Sequence, residues 1–438
     1  MKRQWKIVFI IVFFAVCLIP SAGLLLSGPA EPAANEVPVT LPKIKNYDGT
    51  WNSSYFSGLR DYVGKGFFLR LEGITGWNTL SSGLFHSSGN EDVLIGPDDW
   101  LFFGGARNDI SGAGQMTDRE IWCAARSLYL MQEYAESQGA EFLFTIPCGK
   151  YTLYPDHAPR YIKVAEGSNR TRLMKSMEKF DVHYADLYEA FTTEDEILYW
   201  KWDSHWNARG AALAADVILE QMQEDGNYFE KDYTEEMDHT GDLYAMLYPT
   251  GTKKEADYTP VEPLSFEHTS NFHSYDDMTI TTESGGTGSL LMFRDSSGRN
   301  LYPYLADHFG KALFSRLNAY DLTLIKQQQA DHVVIELAER TLNYLLKYPA
   351  VYPAPTRSES VLASASAVTC KPVEDPNGSQ VEGFKKITGE LPAVETESAV
   401  YLFTGITLYE AIPGESSFTA YIPDDVSIEQ LQVYIGDI

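Results

Sequence analysis

The chain has 438 residues, 44% of them hydrophobic and 22% charged, which excludes a wholly disordered chain and a multi-span membrane protein. A net charge of −27 excludes a nucleic-acid binder and disfavours anionic lipid surfaces, because like charges repel. Aromatic residues reach 13%, with 27 Tyr and 8 Trp, which suits contact with sugar rings or a large β content.

Lys2, Arg3 and Lys6 precede a charge-free stretch over residues 7–26, of which 7–19 are unbroken apolar. At about 1.5 Å per residue this spans about 30 Å, a bilayer's hydrocarbon core. The basic flank stays in the cytoplasm and the rest lies outside. We read residues 1–26 as a retained signal anchor. A signal peptide cut near Gly28-Pro29-Ala30 and a buried core helix are the alternatives. Residues 27–45, rich in Pro and Ala, read as a tether.

Residues 92–104 read as two short strands around Pro97-Asp98-Asp99. A βα alternation then begins. The spacing of Ile121, Ala125, Leu128, Met131 and Tyr134 predicts a helix over 117–139, stopped by Gly139. Residues 141–147 (EFLFTIP) form a buried strand, 170–180 a helix, 181–187 a strand, 198–202 a short strand and 206–225 an amphipathic helix. Strands follow at 289–293, 312–317 and 331–336, with helices at 301–310 and 338–347. This alternation indicates a parallel sheet with helices on both faces.

Residues 224–288 are acidic and aperiodic, and read as a lid or substrate-binding excursion or as a disordered insertion. Their end, SGGTGS, reads as a flexible lead-in. Residues 349–360 read as a Pro/Ser-rich linker. The short alternating runs of 369–438 read as a small β-sandwich-like domain. Cys123, Cys148 and Cys370 make no disulfide framework and allow at most one bridge.

Two stretches carry possible chemistry. In YWKWDSHWNARG (199–210), Asp203 stands two residues before His205, and such a carboxylate can fix the imidazole tautomer and stabilise its cation. Trp202 and Trp206 can shield the pair or stack on a sugar. The alternative is a plain helix start capped by Asp203 or Ser204. In LLMFRDSSGRN (290–300), an apolar strand ends in Asp295-Ser296-Ser297-Gly298 before a helix. A serine there is an exposed nucleophile, and the helix N-terminus aims N–H groups at an oxyanion. The alternative is a polar turn capped by Asp295 or Ser296. No histidine cluster has zinc spacing, and no phosphate loop or dinucleotide fingerprint occurs, so no cofactor is expected.

Together the stretches resemble the DHHW family, which is related to the SGNH-like O-acetyltransferase domains of alginate acetylation. DSHW before a helix and strand–RDS–helix carry the resemblance. Residues 55–70 (YFSGLRDYVGKGFFLR), 95–103 (IGPDDWLFF), 147–159 (PCGKYTLYPDHAP) and 331–342 (DHVVIELAERTL) extend it over about 50–350. It implies Ser296 as nucleophile, His205 as general base, Asp203 as its orienting carboxylate and Tyr302 as a pocket wall. Asp295 holds the turn. Arg294 replaces a family glycine and Ser297 an aromatic, so Ser297 competes with Ser296 for the attack. The histidine precedes the serine, a permuted SGNH order that this family shares. Lys150 and Arg340 are candidates for binding donor or acceptor, with ion pairing as their alternative.

The expected architecture is therefore an α/β, SGNH-hydrolase-like (permuted) parallel sheet over 46–350, behind an anchor (1–26) and linker (27–45), with a small β domain at 351–438. The resemblance implies an extracytoplasmic, single-pass O-acetyltransferase acting on a polysaccharide. A multi-span membrane O-acyltransferase would supply the acetyl group, since acetyl-CoA is cytoplasmic. An acetyl esterase with the same triad, or a non-catalytic surface or assembly protein, are the rivals.

Overall fold

The computed structural model describes residues 3–34, 36–377 and 381–436. The other positions of the anticipated anchor, tether and tail (1–2, 35, 378–380 and 437–438) lie outside the described residues.

A seven-stranded sheet forms the centre. Its order is Tyr184–Ala185, Glu141–Thr145, His332–Glu336, Thr287–Phe293, Phe309–Ser315, Thr279–Ser284, Phe266–His268. The first five strands run parallel. The last two run antiparallel to their neighbours, and Phe266–His268 is the edge. Alternate side chains explain why the inner strands read as continuous apolar runs. Phe142, Phe144, Leu291, Phe293, Val333 and Ile335 pack in one layer with the helix Asp118–Ser137. Leu143, Leu290, Met292, Val334 and Phe314 pack in the other, with helices Ala208–Gln221 and Gly298–His308. A strand covered on both faces has no polar alternation to show. The helix Asp118–Ser137 starts where its chemistry dictates: Thr117 and Glu120 form a reciprocal capping box.

Several expectations change. The expected strand at 198–202 is a single bridge, Tyr199 to Trp206, outside the sheet. The expected helix at 338–347 breaks into the turns Glu339–Thr341 and Tyr344–Lys347, because Glu339 turns inward to Arg170 at 2.8 Å. The acidic excursion is neither a loop nor a disordered insertion. Tyr233–His239 and Glu255–Pro260 form an antiparallel ribbon, Asp242–Leu247 a short helix, and the last part supplies the two antiparallel strands that end the sheet. The ribbon strands are largely polar and partly exposed, so they lack the apolar pattern that marks a strand. Nor is SGGTGS a loose lead-in. A Cβ on Gly286 would lie 1.8 Å from the His308 carbonyl, so only glycine fits there.

The C-terminal region is β-rich, with eight antiparallel strands among its described residues between Thr356 and Gly436. The supposed linker before it is packed: Ala350, Val351 and Tyr352 are buried. Its junction with the sheet domain holds an ion network. Glu410 accepts from Arg126 Nε and Nη2, both at 2.8 Å, and from Arg357 Nε at 2.6 Å. Arg357 also grips Glu133. Glu410 is 1% exposed, so Glu410→Ala leaves a buried guanidinium without its counter-charge. Chemical denaturation of the detergent-solubilised chain should show a loss of about 3–5 kcal/mol.

Among the described residues one helix, Gln4–Ser27, is long and apolar enough to cross a bilayer by length and composition, with mean hydropathy 2.8. Cys123, Cys148 and Cys370 are free thiols.

Candidate active site

Three parallel strands, Glu141–Thr145, His332–Glu336 and Thr287–Phe293, lie side by side, and the segments after their C-terminal ends surround one cavity. This edge is where open α/β sheets gather ligands. The cavity has a volume of about 280 Å³, and Gly149, Tyr199, Ser204, Ser297, Glu339 and Arg340 are among its lining residues.

The helix after DSHW begins at Ala208 and is capped by Asn207, whose side chain accepts from Gly210 N–H. Neither Asp203 nor Ser204 is its cap. Asp203 is instead committed to histidine. Its Oδ1 accepts from His205 Nδ1 at 2.8 Å and from His205 N–H at 2.9 Å. With Nδ1–H donating, Nε2 is the acceptor nitrogen of the ring. Burial works to lower the His205 pKa, but the hydrogen bond and charge of Asp203, joined by Asp242, outweigh it and raise it above the usual histidine value. Burial would raise Asp203, yet its two histidine hydrogen bonds hold it well below the ordinary aspartate value. It is a fixed carboxylate.

The serine turn is a knot of carboxylates. Asp295 Oδ1 accepts from Ser297 N–H at 2.7 Å, and Oδ2 from Ala338 N–H at 3.0 Å. Asp295 N–H donates to Glu336 Oε2 at 2.9 Å. Burial and the neighbouring Asp295 push Glu336 well above the usual glutamate value, favouring its neutral form. Asp295 thus ties the start of the serine turn to the segment at Ala338. Ser297, at the start of the helix whose N–H groups were expected to face an oxyanion, has its own N–H spent on Asp295. Ser296 Oγ accepts from Arg340 Nη2 at 3.3 Å. That leaves the Ser296 hydroxyl proton free to donate elsewhere. Among the described residues no hydrogen bond joins His205 to Ser296. Arg340 is the shared neighbour: it bonds the serine, and its positive charge acts on His205.

Three other assignments are corrected. Lys150 is no substrate ligand. Its buried Nζ donates to the carbonyls of Leu101, Trp200, Lys201 and Asp203 at 2.7–2.9 Å, stapling the DSHW loop to the hairpin. Burial lowers its pKa to about 7, against the pull of Asp203, Glu255 and Asp242. Trp206 is fully buried against Phe191, with no face left for a sugar. Tyr302 is fully buried against Phe314, and its hydroxyl meets His268 at 3.1 Å, so it shapes the core and not the cavity.

Other residues that organise the site escaped sequence reasoning. His239 Nε2 lies 3.0 Å from Asp203 Oδ2, and Asp242 N–H donates to the same oxygen at 2.9 Å. Asp242 also takes the Ser204 hydroxyl at 2.5 Å. Glu255 receives the N–H groups of Lys201 and Trp202 at 2.6 and 3.1 Å. All three come from the acidic excursion. The one available signal was Asp-His-Thr-Gly-Asp at 238–242. Its Gly241 passes so close to the Trp202 carbonyl that a Cβ would sit 2.2 Å away. Donor atoms of Asp203, His205 and Asp242 lie within 4.8 Å of one another. Each is already engaged within this loop network, so the group assembles a carboxylate–imidazole pair.

Residues 93–279 match the family model of the SGNH hydrolase-like domain of the acetyltransferase AlgX. The resemblance read from the sequence is borne out over that segment, which includes Asp203 and His205 and ends before Ser296. A search of curated protein sequences finds no match. Among solved structures, the chain is similar to a DHHW family protein from Eubacterium siraeum, with 18% identity over 52% of this chain and 89% of that one and a TM-score of 0.43. It is also similar to PatB1 of Bacillus cereus, with 19% identity over 58% and 97% and a TM-score of 0.45. The O-acetyltransferase domain of Pseudomonas putida AlgJ gives 16% identity over 58% and 93% and a TM-score of 0.40.

Proposed function

We propose that this chain is an extracytoplasmic polysaccharide O-acetyltransferase, tethered by its N-terminal helix, that works through a Ser296 acyl-enzyme. The observation that carries the reading is that Ser204, between Asp203 and His205, and Ser297, next to Ser296, line one cavity together with Arg340, which is bonded to the Ser296 oxygen. The match to the AlgX domain model supports acetyl transfer as the chemistry.

In this reading, Ser296 Oγ attacks the donor's acetyl carbonyl while its proton passes to His205 Nε2. The donor oxygen leaves with that proton. A sugar hydroxyl then gives its proton to His205 as its oxygen bonds the acetyl carbon. The Oγ–carbon bond breaks, and the proton returns to Ser296. Asp203 steadies the imidazolium at each stage. Arg340 supplies the positive charge for the developing oxyanion, the role the turn N–H does not fill. A multi-span membrane O-acyltransferase is the proposed source of the acetyl group.

The test uses the detergent-solubilised full chain with 4-nitrophenyl acetate, with and without neutral oligosaccharide. Transfer predicts acetylated sugar by mass spectrometry and a matching fall in free acetate. Acetate release indifferent to sugar identifies an esterase. The absence of Ser296-dependent turnover removes the reading.

A further inference from the structure

The carboxylate beside the general base serves two imidazoles. Asp203 spends Oδ1 on His205 and Oδ2 on His239 Nε2 at 3.0 Å and Asp242 N–H at 2.9 Å. A carboxylate only accepts, so Nε2 of His239 is the protonated nitrogen of that contact. His239 ends the ribbon strand Tyr233–His239, and its ring lies on Trp200 with centroids 3.8 Å apart and planes 6° apart. Trp200 is fixed in turn by its Nε1–H on the Ala256 carbonyl at 2.9 Å. The second imidazole is thus a rigid donor.

We propose that His239 is a positioning residue, which locks Asp203 through its second oxygen and divides the carboxylate's hydrogen-bonding capacity between two histidines. The proposal rests on the reading of His205 as general base and deepens it. Its physical logic is a brake. His205 sits beside Asp203 and has Asp242 Oδ2 at 3.6 Å, two carboxylates that both favour its cation. A base held protonated is no base at neutral pH. A donor on Oδ2 draws charge density from Oδ1 and weakens that hold. Other charged groups surround the pair. Glu255 lies opposite His239 across the ribbon, with Asp257 further along that strand and Asp238 adjacent. Lys254 bonds Thr240, Lys150 binds the Asp203 carbonyl, and Arg340 acts on His205. Of these groups, His239 is the one whose side chain donates to the Asp203 carboxylate besides His205.

The test is histidine-labelled NMR on the full chain in detergent, read beside the pH profile of kcat/KM. In wild type, His239 should hold its proton on Nε2 wherever Asp203 is ionised; a proton on Nδ1 alone overturns the proposal without any variant. His239→Phe keeps the stacking and removes the donor. The His205 titration should then move up by about half a unit or more, with kcat falling and KM little changed. His239→Gln, which can still donate to Oδ2, should bring the titration back toward wild type. A His205 titration unmoved in His239→Phe, or moved equally in His239→Gln, overturns the proposal. The tautomer and titration readouts by NMR do not need turnover, so failure there is separate from failure of the acyl-enzyme reading, which Ser296→Ala decides.

Discussion

Ser296→Ala is expected to abolish acetyl transfer, lowering kcat by about 10³-fold or more while the chain stays folded. The turn that holds Ser296 is built without its hydroxyl: Asp295 ties Ser297 and Ala338, and Glu336 receives the Asp295 N–H. The substitution takes from Arg340 the serine oxygen to which it donates and leaves those turn bonds in place. Unfolding curves should therefore overlay those of wild type, and a trapped acetyl-serine should vanish from peptide mass spectra after brief exposure to the acetyl ester. Ser297→Ala is the control, with kcat within a few-fold of wild type and acetyl still found on Ser296. Acetylation that persists in Ser296→Ala, or that migrates to Ser297, sinks the assignment.

Asp203→Asn should cost about 10⁴-fold in kcat at neutral pH. Asp203 accepts four hydrogen bonds, two from His205, one from His239 and one from Asp242 N–H. An amide offers one accepting atom where the carboxylate offers two, so at least one imidazole must give up its hydrogen bond or flip its tautomer. The pH dependence carries a sign. A general base works deprotonated, so activity climbs as pH rises through the His205 pKa. In wild type that limb lies above the ordinary histidine value, because Asp203 and Asp242 outweigh burial. Without the Asp203 charge, burial gains ground and the limb should move to lower pH, while the plateau drops. A residual plateau near wild type, or a limb moving upward, would contradict the role given to Asp203.

Much of this architecture was legible in the residues. Phe142–Phe144 and Leu290–Phe293 read as buried strands because a two-faced parallel strand must be apolar at every position. The apolar N-terminal helix and the helix behind Thr117 were equally plain, since length, hydropathy and capping are local properties. The Asp203–His205 pair was legible for the same reason: two positions apart, a carboxylate and an imidazole can meet through a single turn of their own backbone. The excursion was misread because its ribbon is polar and partly exposed, so the alternation that a half-buried strand displays is missing.

What only the fold decided is where each long polar or aromatic side chain ends up. Lys150 looked like a ligand for substrate and proved to be a staple for four carbonyls. Trp206 and Tyr302 looked like pocket walls and are core. His239 looked like nothing and sits on the site's carboxylate. Residue type and periodicity describe the chain's preferences along a few turns. They carry no record of which distant segment closes over a side chain, and that closure determines whether an ammonium meets water or a ring of backbone oxygens.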